Sequence, residues 1–85
     1  MTFVERYYAE TTWQGKVMVM EIYHLARTAN NPNWTISMTA TEFDVSIGLV
    51  SENLKLAYAL HNNPKVLSAP NRQEALKKLN GNGRY

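Results

Sequence analysis

Residues 36–55 read Ile-Ser-Met-Thr-Ala-Thr-Glu-Phe-Asp-Val-Ser-Ile-Gly-Leu-Val-Ser-Glu-Asn-Leu-Lys. This stretch is typical of two helices joined by a turn of about three to four residues. Ala40 supplies the small side chain where a second helix crosses closely, and Phe43 supplies an apolar anchor at the end of the first helix. Asp44 stands where glycine is commonest, and aspartate tolerates the left-handed backbone conformation better than most residues. The stretch therefore predicts a helix-turn-helix.

The flanking residues fit the same interpretation. The Val45 side chain would pack in the core and anchor the turn. Ser46 is a good N-cap for a second helix over 47–60. That helix would be held down by one apolar stripe: Val50, Leu54 and Ala57, extended by Leu56 and Leu60. The segment 36–43 would also suit a strand, because β-branched residues occur in it and just before it, at Thr35, Ile36, Thr39 and Thr41. Periodicity alone does not decide between a helix and a strand here.

Three further helices are expected outside this stretch. The longest runs from about Trp13 to Ala29, with Thr11 and Gln14 as its capping box. Its buried face is predicted from apolar residues at helical spacing: Met18, Ile22, Leu25 and Ala29, with Val17, Met20 and Ala26 beside them. A short helix is possible over 2–9. A last helix over 71–79 would start at Asn71 with Glu74, turn Ala75, Leu76 and Leu79 inward, and stop at glycine.

Composition places the chain among small globular domains. It has 85 residues, of which 45% are hydrophobic and 19% charged, and it has no cysteine. We therefore expect an all-α fold, a compact domain of four to five helices over 1–79 that contains the helix-turn-helix over 36–60. Residues 80–85 are predicted to be a flexible tail or linker. The formal net charge of +2 permits a nucleic-acid partner without requiring one.

The predicted second helix of the pair is where function is expected. In a helix-turn-helix the N-terminal residues of this helix contact base edges in the major groove. The outward residues are Ser46, Ile47, Gly48, Ser51, Glu52 and Lys55. Glu52 would accept from a cytosine amino group, Ile47 would touch a thymine methyl, Gly48 would allow close approach, and Lys55 would meet phosphate. The alternative for Ser51 and Glu52 is a solvated helix face.

A basic cluster on the last helix is a second candidate contact. Arg72, Lys77 and Lys78 would form a phosphate-contacting patch, or else a solvated last turn in which positive charge complements the helix dipole.

The residues Trp34-Thr35, Thr39-Ala40 and above all 48–57, Gly-Leu-Val-Ser-Glu-Asn-Leu-Lys-Leu-Ala, resemble the DNA-binding helix-turn-helix of ParB/KorB-type proteins. The resemblance continues through Asn63-Pro64 and 71–76. It implies site-specific binding of double-stranded DNA, often as a dimer or within a larger protein. Such modules occur at phage and plasmid origins or operators. They also occur as N-terminal targeting domains of replication initiators or origin-directed nucleases.

Other functional classes are less well supported. No catalytic constellation, cofactor motif or metal-ligand spacing is evident, so the chain itself is not expected to be an enzyme, although a larger parent protein could be one. No apolar run is long enough to cross a membrane. We expect a cytoplasmic protein of a bacterium or a phage-infected host, with a homodimer or an additional C-terminal domain supplying affinity. The alternative function is a helical protein–protein interaction domain, an adaptor or inhibitor, without DNA binding.

Overall fold

The computed structural model describes residues 1–82, and helices make up most of them. They are α1 Phe3–Ala9, α2 Trp13–Asn30, α3 Ile36–Phe43, α4 Ile47–Asn62, α5 Pro64–Leu67 and α6 Arg72–Asn82. No strand occurs within the described residues, so the expected all-α class is confirmed and the strand alternative over 36–43 is wrong. Helix α5 was not predicted from the sequence, and it raises the number of helices from the expected four or five to six.

Side-chain caps fix where these helices begin. Thr2 and Glu5 form a reciprocal capping box at α1, in which the Glu5 N–H donates to Thr2 Oγ1 at 3.0 Å. Helix α2 is capped by Thr12, whose hydroxyl accepts from the Gly15 N–H at 3.0 Å, so the predicted capping box at Thr11 is wrong. Asn71 caps α6 as predicted, because its Oδ1 accepts from the Glu74 N–H at 2.9 Å.

Two groups of buried side chains form the core. The first, which we call the α3-side cluster, joins α1, α2, α3 and the start of α4; its members are Tyr7, Val19, Met20, Tyr23, Ala40, Phe43 and Val50. The second, the α6-side cluster, joins α2 and α4 with the last part of the chain; its members are Val17, Leu56, Ala57, Ala59, Val66, Ala69 and Ala75. The α2–α4 packing is the most extensive helix contact, because both helices pass through both clusters.

Helix α2 buries a different face from the one that the sequence predicted. Its buried residues are Val17, Val19, Met20 and Tyr23. Ile22 and Leu25 are 50% and 57% exposed, and Ala26 and Ala29 are exposed as well. The predicted face is therefore wrong at these positions. Tyr23 replaces them inside because its ring makes edge-on contacts with Phe43 and Trp34, which an aliphatic side chain cannot make.

The end of α6 also differs from expectation. The helix continues through residues 80–82 instead of stopping at Leu79. The rest of the predicted flexible tail, residues 83–85, lies outside the described residues. Upstream, the indole N–H of Trp13 donates to the Ala69 carbonyl at 2.9 Å, and the Gln14 amide donates to the Leu67 carbonyl at 3.0 Å. These bonds hold the segment between α5 and α6 against the start of α2.

Candidate nucleic-acid interface

A three-residue connection, Asp44 to Ser46, joins α3 to α4. Asp44 adopts the left-handed conformation, with φ 58° and ψ 48°. Its N–H donates to the Thr41 carbonyl at 3.2 Å, and the Val45 N–H donates to the Ala40 carbonyl at 3.0 Å. This is the Schellman pattern of helix termination, which satisfies the last carbonyls of α3. Val45 packs on the α3-side cluster as predicted, which anchors the turn to the core.

The first turn of α4 follows directly. The Leu49 N–H donates to Ser46 Oγ at 3.1 Å, which confirms Ser46 as the N-cap. The Val50 N–H donates to the Ser46 carbonyl at 3.2 Å. The N–H groups of Ile47 and Gly48 are therefore the remaining donors of a helix start, a place that favours a phosphate group.

The predicted contact residues of α4 share one side of the helix. Val50 is fully buried on the opposite side. Ser51 is half-buried, and the others are exposed: Ser46, Ile47, Gly48, Glu52 and Lys55. Nothing crowds Gly48, since an added Cβ would meet its nearest atom, Ser46 Oγ, at 4.0 Å. The side that the sequence predicted to face outward is thus open to a partner.

Glu52 and Arg72 are paired with each other across α4 and α6. The Arg72 guanidinium donates to Glu52 Oε1 at 2.7 Å and, through Nε, to Asn53 Oδ1 at 2.7 Å. Asn53 is 1% exposed and also donates to the Tyr7 hydroxyl and to Met20 Sδ, both at 3.4 Å. Arg72 is therefore part of a network between helices, which leaves it less free for a phosphate than the sequence suggested.

The sequence reasoning missed Asn53, although a signal was present. Asn53 lies three residues after Val50 and three before Leu56, which is the spacing of a buried helix face. A polar residue at such a position needs hydrogen-bond partners. Those partners come from α1, α2 and α6, and periodicity alone does not reveal them.

An open groove of about 460 Å³ lies beside the second half of α4 and is lined by Lys55, Tyr58, Ala59, Asn62, Asn63 and Leu79. Lys77 and Lys78, the other basic residues predicted to contact phosphate, are exposed on α6 at the two positions before Leu79. Lys77 lies 3.4 Å from Glu74 in an exposed pair, which is a weak contact in water. Tyr58 is 69% exposed in this groove.

Two acidic residues lie at the other end of this surface. Glu42 and Asp44 are both exposed at the junction of α3 and α4. Their charges oppose a phosphate there. An approaching polyanion is therefore favoured along α4 toward Lys55 and α6, and is repelled toward the end of α3.

Within residues 1–82 no helix is long and apolar enough to cross a membrane. The same residues contain no group of three or more His, Cys, Asp or Glu side chains placed to hold a metal ion. Comparison of the chain with known protein families, with curated proteins and with solved structures found no match.

Proposed function

We propose that this chain binds double-stranded DNA with the first half of α4 in the major groove. The observation that carries the proposal is the short connection Asp44–Ser46, capped at both ends, which leads into an exposed helix start. This start offers free N–H donors, an uncrowded glycine and the side chains that the sequence predicted to meet base edges. The target sites would be operators or origins of phage or plasmid type, as the resemblance to ParB/KorB-type modules implies.

In this proposal Glu52 reads a base rather than repelling the backbone. The ion pair with Arg72 offsets its charge and holds Oε1, while Oε2 accepts no hydrogen bond from the described residues. A carboxylate oxygen held in this way can accept from a cytosine amino group. Arg72 would then act as a positioning residue, while Lys55, Lys77 and Lys78 meet phosphates.

The direct test is selection of bound sites from a pool of random DNA duplexes, followed by fluorescence anisotropy on the selected duplex at several salt concentrations. We expect Lys55→Ala to weaken binding to all duplexes and to reduce the slope of log affinity against log salt by about one. Arg6→Ala is the matched control, because Arg6 is an exposed cation on α1, which carries none of the proposed contact residues, and its loss should leave that slope unchanged. Failure to enrich any sequence would contradict the proposal.

A glycine substitution separates a contact role from a folding role. Gly48→Ala adds a methyl group that has room in the free protein, and alanine favours helix over glycine by about 0.5–1 kcal/mol. The variant should therefore be more stable, yet it should bind the selected duplex more weakly, because the methyl group blocks close approach. Unchanged affinity in a stabilised variant would remove Gly48 from the interface.

A further inference from the structure

The buried amide of Asn53 is connected to the exposed side of α4 through Arg72. Asn53 is almost wholly buried, the Arg72 side chain is 23% exposed, and the Glu52 side chain is 50% exposed. Arg72 bonds to both of the others. The three side chains therefore form one hydrogen-bonded chain, which runs from the core to the side of α4 that carries the proposed base contacts.

Arg72 uses one edge of its guanidinium plane for both bonds. Nε donates to Asn53 Oδ1 and Nη2 donates to Glu52 Oε1, each at 2.7 Å. Two neighbouring donors on a rigid plane fix its orientation as well as its position. An exposed glutamate by itself has several rotamers open to it. The direction of the Glu52 carboxylate is therefore set by Arg72, and the direction of Arg72 is set by Asn53.

Asn53 can hold Arg72 because other helices hold Asn53. Its amide nitrogen donates to the Tyr7 hydroxyl of α1 and to Met20 Sδ of α2, both at 3.4 Å. A guanidinium has no acceptor, so the amide oxygen must be the atom that faces it. The core thus orients both ends of this amide.

We propose that Asn53, which is too deeply buried to touch DNA, decides whether Arg72 serves base recognition or general phosphate binding. This inference rests on the proposed function. While Asn53 holds it, the guanidinium is committed to Glu52, and Glu52 discriminates at one base pair. Without Asn53, Arg72 keeps only its bond to an exposed carboxylate, which is a weak contact in water. Phosphates then compete for the guanidinium, and Glu52 loses its fixed direction.

The experiment measures binding of Asn53→Leu to the selected duplex, to duplexes with one base pair exchanged, and to an unrelated duplex. Leucine has the branched shape of asparagine without its polar atoms, so it suits a buried site beside Met20. The preference at one base position should fall by about tenfold. Affinity for the unrelated duplex should rise, and its slope against log salt should steepen by about one, because Arg72 gains a phosphate.

Asn53→Asp is the matched variant, because it keeps an oxygen that accepts from Arg72. It should keep the base preference of the unmodified chain. A purely structural role for Asn53 would instead weaken binding of Asn53→Leu to all duplexes alike. That result, or an unchanged preference in Asn53→Leu, would overturn the inference.

Arg72→Met tests the same connection from the surface, where the substitution disturbs the core less. It should lose the preference at the same base position as Asn53→Leu. Its salt slope should not steepen, because no guanidinium is released. Loss of preference at a different position would show that Asn53 does not act through Arg72.

A measurement without DNA separates this inference from the proposed function. The Arg72 Nε–H signal in nitrogen-15 NMR should exchange slowly with water in the unmodified chain and in Asn53→Asp, and rapidly in Asn53→Leu. Equal exchange in all three would overturn the role of Asn53, whatever the DNA results. Failure of the unmodified chain to select any DNA sequence would contradict the proposed function and with it the role in base recognition. The exchange rates would still decide whether Asn53 holds Arg72.

Discussion

Asp44 is the only residue among 1–82 other than glycine with a positive φ, and it decides the geometry of the α3–α4 connection. A side chain in the left-handed region is strained, and aspartate is less strained than most because it bonds locally. We expect Asp44→Gly to raise the free energy of unfolding by about 0.5 kcal/mol, since the greater entropy of unfolded glycine offsets part of the relief. Asp44→Ala should lower it by about 1 kcal/mol. Urea denaturation gives the order, and an alanine variant as stable as the glycine variant would contradict this account.

The turn was predictable from the sequence, and the bonding partners of the buried Asn53 were not. Asp44, Val45 and Ser46 bond to residues within five positions, so local rules describe them. Asn53, by contrast, bonds to Tyr7, 46 positions earlier, and to Arg72, 19 positions later. Such contacts follow from how the helices pack. For the same reason, the sequence indicated Arg72 as a basic residue but not its pairing with Glu52.

His24 makes the stability of the fold depend on pH. Burial lowers its pKa below the ordinary value of 6.5. Thr39 Oγ1 accepts from the Trp34 indole N–H at 2.8 Å and lies 2.7 Å from His24 Nδ1. The Thr39 hydroxyl can therefore donate to a neutral imidazole at this position. Because His24 binds a proton more readily in the unfolded chain than in the folded one, acid favours unfolding. The contribution of His24 to stability is therefore complete above pH 6.5 and is lost as the pH falls through the lowered pKa.

The check is thermal unfolding of the chain and of His24→Gln between about pH 5 and pH 8, the range around the imidazole pKa. The unmodified chain should lose stability as the pH falls below about 6.5. The glutamine variant should lose less over the same interval, since it has no proton to bind at this position. Equal losses in the two proteins would assign the pH dependence to other groups.

At the scale of the helices, α2 shows why a correct helix can be predicted with the wrong buried face. Its apolar residues occur on both sides, so periodicity supports two orientations equally. The choice is made by Tyr23 and Met20, which pack with Phe43 of α3 and Val50 of α4. Helices α4 and α6 were simpler, because each has one apolar side, and their predicted inward residues are confirmed.

The bond between Arg72 and Asn53 joins α6 to α4 beside the apolar packing of Ala75 in the α6-side cluster. A buried amide that accepts from a guanidinium is a strong contact, because a hydrogen bond to a charged group contributes about 1.5–3 kcal/mol. We expect a double-mutant cycle of Asn53→Ala and Arg72→Ala to give a coupling free energy of about 1–2 kcal/mol.

The exposed pair Glu74 and Lys77 on α6 provides the comparison for this cycle. Its side chains are 45% and 75% exposed, and its coupling should be at most about 0.5 kcal/mol. Equal couplings for the two pairs, measured by urea denaturation, would show that burial of Asn53 does not strengthen its bond.

At the scale of the whole molecule, the two clusters share α2 and α4, and this should make them unfold together. Val17 and Met20, one turn apart on α2, belong to different clusters, as do Val50 and Leu56 on α4. Neither cluster can lose its packing while the other keeps both helices in place. We therefore expect one cooperative unfolding transition, as is usual for domains of this size.

The two tryptophans allow this to be measured, because each packs against one cluster. Trp34 lies on the α3-side cluster and Trp13 on the α6-side cluster. In Trp13→Phe the remaining fluorescence comes from Trp34 and reports the α3-side cluster, and in Trp34→Phe it comes from Trp13 and reports the α6-side cluster.

Each substitution also removes a hydrogen bond, to Ala69 or to Thr39, so the two variants will differ in stability. The comparison is therefore made within each variant: its fluorescence and its far-UV circular dichroism should share one midpoint in urea. Separate midpoints within either variant would mean that the two clusters unfold independently.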